Sequence, residues 1–217
     1  MPAPAPRTAS TRGRQAEARR NDLAVLEAAR DVFTTHGAGA PIAAVAERAG
    51  VGMGSLYRRY GSKAELLHRL CVAAMEQALA AADEALAIAD SWTGLASYVR
   101  ACAELRSGAL APLAGQIETT PEMLRVYREG RGLVEEIVAR AHRDGSLRAD
   151  ATALDVAWLI EQFSRRAPDG IDASEEARIR ARLLTIALDG LRAPGTHPLP
   201  GRPPSRTHYE GRWRPRA

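Results

Sequence analysis

The sequence predicts an all-α fold of about nine helices, and three observations carry that reading. Ala, Leu and Arg crowd long stretches while aromatic residues make up only 5% of the chain, a composition that favours helix over sheet. Apolar residues recur at helical spacing, and no stretch alternates apolar with polar as a half-buried strand does. Helix starts (Ser, Asp, Asn, Pro) and stops (Gly) punctuate that periodicity. With 217 residues, 46% apolar and 26% charged, the chain is long enough to bury a core and has a globular balance. No apolar run reaches the ~18 residues of a membrane span, so none is expected. The opening MPAPAPRTASTRGRQ lacks the apolar stretch of a secretory signal. Cys71 and Cys102 make no disulfide framework, and a reducing cytoplasm is the expected location.

Residues 1–18, rich in Pro, Ala, Ser and Arg without periodicity, read as a disordered arm. A first helix is expected from Asn21 to His36, with Asn21 as cap, Asp22 in the first turn and Gly37 as a left-handed stop. Val25, Leu26, Ala29, Val32 and Phe33 share its inward face. Pro41 opens a short second helix, Ile42 to Ala49, which Gly50 ends. A third covers Met53 to Tyr60. Gly61-Ser62-Lys63 then breaks the pattern, and Ser62 caps a long fourth helix reaching about Ala89. Further helices are expected near 92–106, 109–117, 121–143, 150–166 and 173–192, with Asp150 and the Asp172/Ser174 region as N-caps and Gly145 as a stop. From Pro194 the chain holds six prolines, three glycines and five arginines and reads as a disordered tail. The resulting organisation is an arm (1–18), a front domain (19–77), a longer helical domain (78–193) and a tail (194–217).

Charge divides along the same lines. Residues 1–63 carry ten basic side chains against five acidic, residues 64–193 carry 15 against 20, and the tail carries five against one. A basic front on an acidic body suits a polyanion partner at the front, although a merely solvated arm accounts for the charge equally well. Of the 30 basic residues 29 are Arg, and Lys63 is the one Lys.

Helix, tight turn, helix over about residues 41–60 is the pattern with functional content. In a helix-turn-helix the first helix crosses the nucleic-acid backbone and the second lies in the major groove. Joining two helices so closely needs a small residue and a left-handed turn position, which Ala46 and Gly50 supply, with Val45, Val51 and Leu56 as the locking core. The opposite face of the third helix then presents Met53, Gly54, Ser55, Tyr57, Arg58 and Arg59. Hydroxyl and guanidinium groups are what phosphates and base edges require, and small residues at the helix start let its free N–H groups approach phosphate.

The stretch AAVAERAGVGMGSLYRRYGSKAELL resembles the TetR family of bacterial transcriptional regulators. Ala46, Ala49, Gly50, Val51, Gly54, Leu56, Tyr57, Ser62, Lys63 and Leu66 stand as that pattern asks, and so does the upstream frame of Ala28, Ala29, Phe33 and Gly37. GSLRADATALDVA at 145–157 is similar to the lead-in to the family's eighth helix. The resemblance implies that Ser55 faces the groove, that Tyr57 meets a phosphate or a thymine methyl, and that Lys63 holds a phosphate. Gly52 stands where the family often has Ser, and Pro41-Ile42 where it often has Thr-Thr, which puts a hydroxyl contact from the second helix in doubt. Arg58 and Arg59, and the arginines of the arm, can offset that loss.

The resemblance further implies a homodimer on a palindromic double-stranded DNA operator, paired through the last two long helices at Leu154, Trp158, Glu161, Ile179, Leu183, Ile186 and Ala187. It implies an unidentified small-molecule effector in the rear helices, with Tyr98, Cys102, Met123, Tyr127, Trp158 and Gln162 as pocket candidates by position. The expected function is a ligand-responsive repressor; an activator, a ligand-independent DNA-binding protein or a helical enzyme or adaptor remain alternatives. No catalytic constellation stands out: ETTPE at 118–122 reads as a helix start, and no cofactor is expected. His68 and Cys71 lie one turn apart without a third ligand nearby, so no metal is expected either.

Overall fold

A computed structural model describes residues 8–165, 170–195 and 197–213, with side chains from Asn21 onward. The described residues form nine α-helices, one 3₁₀ segment and no strand. In order these are α1 (Thr8–His36), α2 (Ile42–Ala49), α3 (Met53–Tyr60), α4 (Lys63–Ala87), α5 (Ser91–Glu104), the 3₁₀ segment (Ser107–Leu113), α6 (Pro121–Arg143), α7 (Ala153–Phe163), α8 (Ala173–Leu191) and α9 (Arg206–Gly211). No helix among them is long and apolar enough to cross a membrane. The chain forms two compact units that meet in sequence at Leu70 and Cys71, within α4.

The first unit is built on α1–α3 and the start of α4. Val25, Ala29, Val32 and Phe33 of α1 meet Val45 and Ala46 of α2, Leu56 of α3 and Leu66 and Leu70 of α4 in one buried core. Arg48 of α2 pairs with Asp31 of α1, its Nε 3.0 Å from the carboxylate. The helix α1 begins at Thr8, where a disordered arm to residue 18 and an Asn21 cap were expected. Past Pro6 the sequence holds no further proline before Pro41 and is rich in Ala and Arg. Such residues let a helix whose later turns are docked extend backwards at little cost.

The second unit packs α5 at its centre, with Leu95, Val99, Cys102 and Ala103 buried against Ala82 and Ala85 of α4, Val138 and Ala141 of α6, Val156 and Ile160 of α7 and Leu184 and Leu188 of α8. Caps fix the helix starts. Asp90 accepts from the Thr93 N–H, Thr120 from Met123, and Asp172 from Ser174 and Glu175. The helix α7 starts under a reciprocal capping box of Thr152 and Asp155, not at Asp150 as the sequence suggested. Asp150 is engaged elsewhere: its carboxylate binds Arg148 and the Leu199 N–H.

Two further departures shape this unit. The helix expected at 109–117 is the 3₁₀ segment 107–113, with Pro112 inside it and Gly108 pressed against α7. A Cβ at Gly108 would stand 2.6 Å from Glu161 Cα, so only glycine permits this approach. The region read as a disordered tail is an ordered strap over 197–213, ending in α9. Arg148 donates to the carbonyls of Gly190 and His197, and Arg212, Tyr209 and Trp213 dock on the bundle as described below. Proline and arginine content suggested disorder, but the apolar and charged partners for this segment lie far away in sequence.

Candidate nucleic-acid interface and internal cavity

The turn before α3 is set by Gly50, at φ +65°, in the left-handed region. Its N–H binds the Glu47 carbonyl (3.1 Å) and the Val51 N–H binds the Ala46 carbonyl (3.0 Å), a Schellman motif that closes α2 and turns the chain into α3. Leu56 and Tyr60 lock α3 from beneath, so the other face is forced outward. That face carries Met53, Gly54, Ser55, Tyr57, Arg58 and Arg59, all exposed; Tyr57 is 46% accessible. Gly52 places no side-chain cap on α3, and with the Ser55 and Leu56 N–H groups bound to the Gly52 carbonyl, the Met53 and Gly54 amides are the ones left to an outside acceptor. A Cβ on Gly54 would meet nothing within 4 Å, so the fold itself makes no demand for glycine there.

One member of this set, Arg59, has an internal partner that also holds the neighbouring Tyr60. Asp22 of α1 pairs with Arg59 (2.9 Å) and accepts from the Tyr60 hydroxyl (2.5 Å), clamping the end of α3 to α1. Burial, reinforced by the Asp22 carboxylate, holds the Tyr60 phenol well above its ordinary range. Arg59 is therefore directed sideways, towards α1, while Arg58 is an exposed cation on the same helix. The Lys63 ammonium lies 5.7 Å over the ring of Phe33, a cation–π contact that orients a side chain still half in solvent. Ser62 caps α4 through the Glu65 N–H (3.1 Å) and fixes where Lys63 emerges. The Asp22 clamp was not legible in the sequence, because 38 residues separate Asp22 from Tyr60.

The second unit holds a partly open cavity of about 220 Å³. Its floor is apolar: Cys71, Ala74, Met75 and Ala78 of α4, Val126 and Val134 of α6, and Ile160 of α7. Of the expected pocket residues, Tyr98 and Tyr127 line it. Cys102 and Met123 are buried in the packing, Trp158 packs against α9, and Gln162 is exposed. Burial raises the thiol pKa of Cys71 to about 12 and also raises that of Cys102, so both are inert packing groups. Burial and then Glu210 raise the Tyr127 phenol to about 12.

Leu154 and Glu161, expected at a chain–chain surface, line the cavity. Glu161 is 6% exposed and forms a two-pronged ion pair with Arg212 (2.7 and 2.9 Å). The Arg212 guanidinium also lies 4.3 Å over the Trp158 ring, and Tyr209 meets Trp158 edge-on at 5.6 Å. Trp158 and Glu161 are thus covered by the chain's own C-terminal segment. On α8, Leu183 and Ile186 are 49% and 60% exposed, with Ile179 and Ala187 half-buried beside them. Among the described residues no three His, Cys, Asp or Glu side chains gather as a metal site.

Comparison with known proteins agrees with this geometry. Residues 25–70 match the profile of bacterial regulatory proteins of the tetR family, and residues 90–193 match that of the C-terminal domain of SbtR-like transcriptional regulators. Among solved structures, the ketosteroid transcriptional regulator KstR2 of Mycobacterium tuberculosis is 20% identical (TM-score 0.59) over 80% of this chain and 95% of its own. A TetR transcription regulatory protein from Mycobacterium vanbaalenii is 25% identical (TM-score 0.55) over 82% and 99%. The TetR-like regulator LfrR from Mycobacterium smegmatis, solved with proflavine, is 23% identical (TM-score 0.57) over 78% and 96%. At such identities the structural likeness speaks for the fold. No curated protein sequence matches the chain.

Proposed function

We propose that this chain, which belongs to the TetR family of bacterial transcriptional regulators, is a cytoplasmic homodimeric repressor that leaves a palindromic operator when a small molecule fills its cavity. The family places DNA binding in the matched front segment. The observation that carries our reading is the outward face of α3, where Ser55, Tyr57 and Arg58 stand exposed beside a glycine start that nothing in the chain itself requires. In this reading Tyr57 and Arg58 meet phosphate or base edges, Ser55 and Met53 face the groove, and Gly54 lets the duplex backbone come close to the α3 amides. Lys63, steered by Phe33, takes a phosphate. Arg59 serves DNA by holding α3 to Asp22, and reaches phosphate only on leaving that carboxylate.

One recognition helix reads few base pairs, so a two-fold pair of chains on a palindrome supplies the missing specificity. The exposed Leu183 and Ile186 of α8, flanked by Ile179 and Ala187, supply an apolar seam for that pairing. The cavity supplies the switch: moving a dimer from 1:99 to 99:1 between two states needs a ligand that prefers one of them by about 5.5 kcal/mol. LfrR, which shares this fold, was solved in complex with a small molecule, proflavine.

The test is fluorescence anisotropy of the full chain on DNA from upstream of its own and neighbouring genes, against scrambled DNA at two salt concentrations. A palindromic fragment bound at least a hundredfold more tightly, by two chains, is the expected result. Equal, salt-labile binding to every fragment would refute sequence-specific regulation, since only unspecific charge would then be acting.

A further inference from the structure

We propose that the C-terminal segment is part of the effector site, with Tyr209 and Trp213 forming one wall, and that the site takes an uncharged, mostly apolar molecule larger than a single benzene ring. The proposal rests on the effector reading of the cavity given above.

The segment is built into the site. Arg206, Tyr209 and Trp213 line the cavity together with residues of α4, α6 and α7. It is held at two places. Asp150 accepts from the Leu199 N–H (2.8 Å) while Arg148 binds the His197 carbonyl, which fixes where the strap crosses the start of α7. Beyond it, Arg212 grips Glu161, the Tyr127 hydroxyl donates to Glu210 (3.1 Å), and the Thr119 hydroxyl donates to the Trp213 carbonyl (3.0 Å). Residues of α6, of α7 and of the loop before α6 thus hold the segment 210–213, so Tyr209 and Trp213 stand as wall rather than as loose tail.

Charge decides the class of molecule. Every charged side chain at the wall already has an opposite partner: Glu161 with Arg212, Arg131 with Glu210, and Arg206 with Glu135. A ligand bringing a net charge would have to break one of these pairs or enter an apolar chamber unpaired, and both are costly. The buried Arg131 Nε, 3.9 Å from Glu135, belongs to the same set of pairs and offers the cavity no further charge. Size follows from volume: an apolar cavity of roughly 150 Å³ takes benzene, so about 220 Å³ leaves room for more than one ring.

The experiment titrates the full chain by calorimetry with 2-naphthol and with naphthalene-2-sulfonate, the same ring system with and without a full charge. Four chains are compared: wild type, Tyr209→Ala, Trp213→Ala and Ala78→Phe, the last filling the floor, with helical circular dichroism recorded on each. The expected result is one 2-naphthol per chain, at least tenfold weaker binding of the sulfonate, loss of binding in Ala78→Phe, and about tenfold weaker binding (~1.4 kcal/mol) in each tail variant. If Ala78→Phe abolishes binding while both helical tail variants bind as wild type does, the tail proposal is overturned and the effector cavity stands. If wild type ignores 2-naphthol, or Ala78→Phe binds it unchanged, the cavity reading fails and takes the proposal with it. Tighter binding of the sulfonate overturns the uncharged class.

Discussion

Replacing Arg212 by leucine should release the C-terminal segment without unfolding the bundle. In the folded chain its guanidinium makes two charge-assisted hydrogen bonds to Glu161 and lies over the rings of Trp158 and Tyr209, at 4.3 and 4.5 Å. The Glu161 side chain is 7% exposed and that of Arg212 27%, so the pair is largely desolvated and its loss leaves a carboxylate buried without countercharge. One-sided breaking of a fully buried pair costs about 3–5 kcal/mol. Arg212 keeps a quarter of its surface in water, so the lower end applies, about 3 kcal/mol, ring contacts included. That is roughly a hundredfold in the opening equilibrium. The readout is amide hydrogen exchange at Tyr209 and Trp213, whose N–H groups bind the carbonyls of Ser205 and Glu210. Both should exchange about a hundredfold faster in Arg212→Leu, while amides of α5 stay protected. Adding Glu161→Leu removes the stranded charge and should recover most of the protection. Unchanged exchange in Arg212→Leu would refute the ion pair as the fastener.

Four further outcomes follow from the same geometry. Gly50→Ala should cost about 1–2 kcal/mol because its φ is positive, read as a lower urea midpoint with unchanged slope; Gly54→Ala, with open space at its Cβ, should cost no stability yet weaken operator binding at least tenfold. Lys63→Ala should lower the slope of log affinity against log salt by about one, and Tyr57→Phe should weaken binding while leaving that slope unchanged. The Asp150 carboxyl is held near pKa 2, below its ordinary 3.8, first by Arg148 and then by the Leu199 N–H. A depressed folded value means its contribution is complete above about pH 4 and is lost as pH falls towards 2, so Asp150→Asn should flatten the acid limb of the wild-type stability profile. Leu183→Glu with Ile186→Glu should convert a dimer to a monomer in analytical ultracentrifugation; an unchanged dimer would remove α8 from the seam.

The front unit was legible because its instructions are local. Gly50 needs a left-handed turn four residues from Ala46, and Leu56 is inward because Tyr57 and Arg58 are not; each fact sits within one helical turn of the next. What escaped was set by partners far along the chain. Asp22 was read as a first-turn acid of α1, whereas it is the clamp on Arg59 and Tyr60. Asp150 was read as a cap, but Leu199 recruits it, and Thr152 with Asp155 supplies the box. Of the six pocket candidates, the two tyrosines Tyr98 and Tyr127 meet the cavity, because periodicity gives the buried face of a helix but not which part of that face lies beside a void. The tail was misread for the same reason: its prolines are local evidence for disorder, while Glu161, Trp158 and Tyr127 hold it from a distance.

The strap also narrows where a second chain can bind. The resemblance implied pairing through both α7 and α8. In the folded chain Trp158 is stacked by Arg212 and Tyr209, and Glu161 is neutralised within its own unit. The helix α8 keeps two distinct stripes. Leu184, Leu188 and Leu191 point into the bundle. Ile179, Leu183, Ile186 and Gly190 recur at steps of four, three and four along its other side, and a Cβ on Gly190 would meet nothing within 4 Å. One chain needs only the first stripe. A second stripe at helical spacing, with a glycine where another helix can come close, is the arrangement that helix-on-helix packing uses, and exposed isoleucine and leucine three residues apart lose solvent contact only when such a partner arrives.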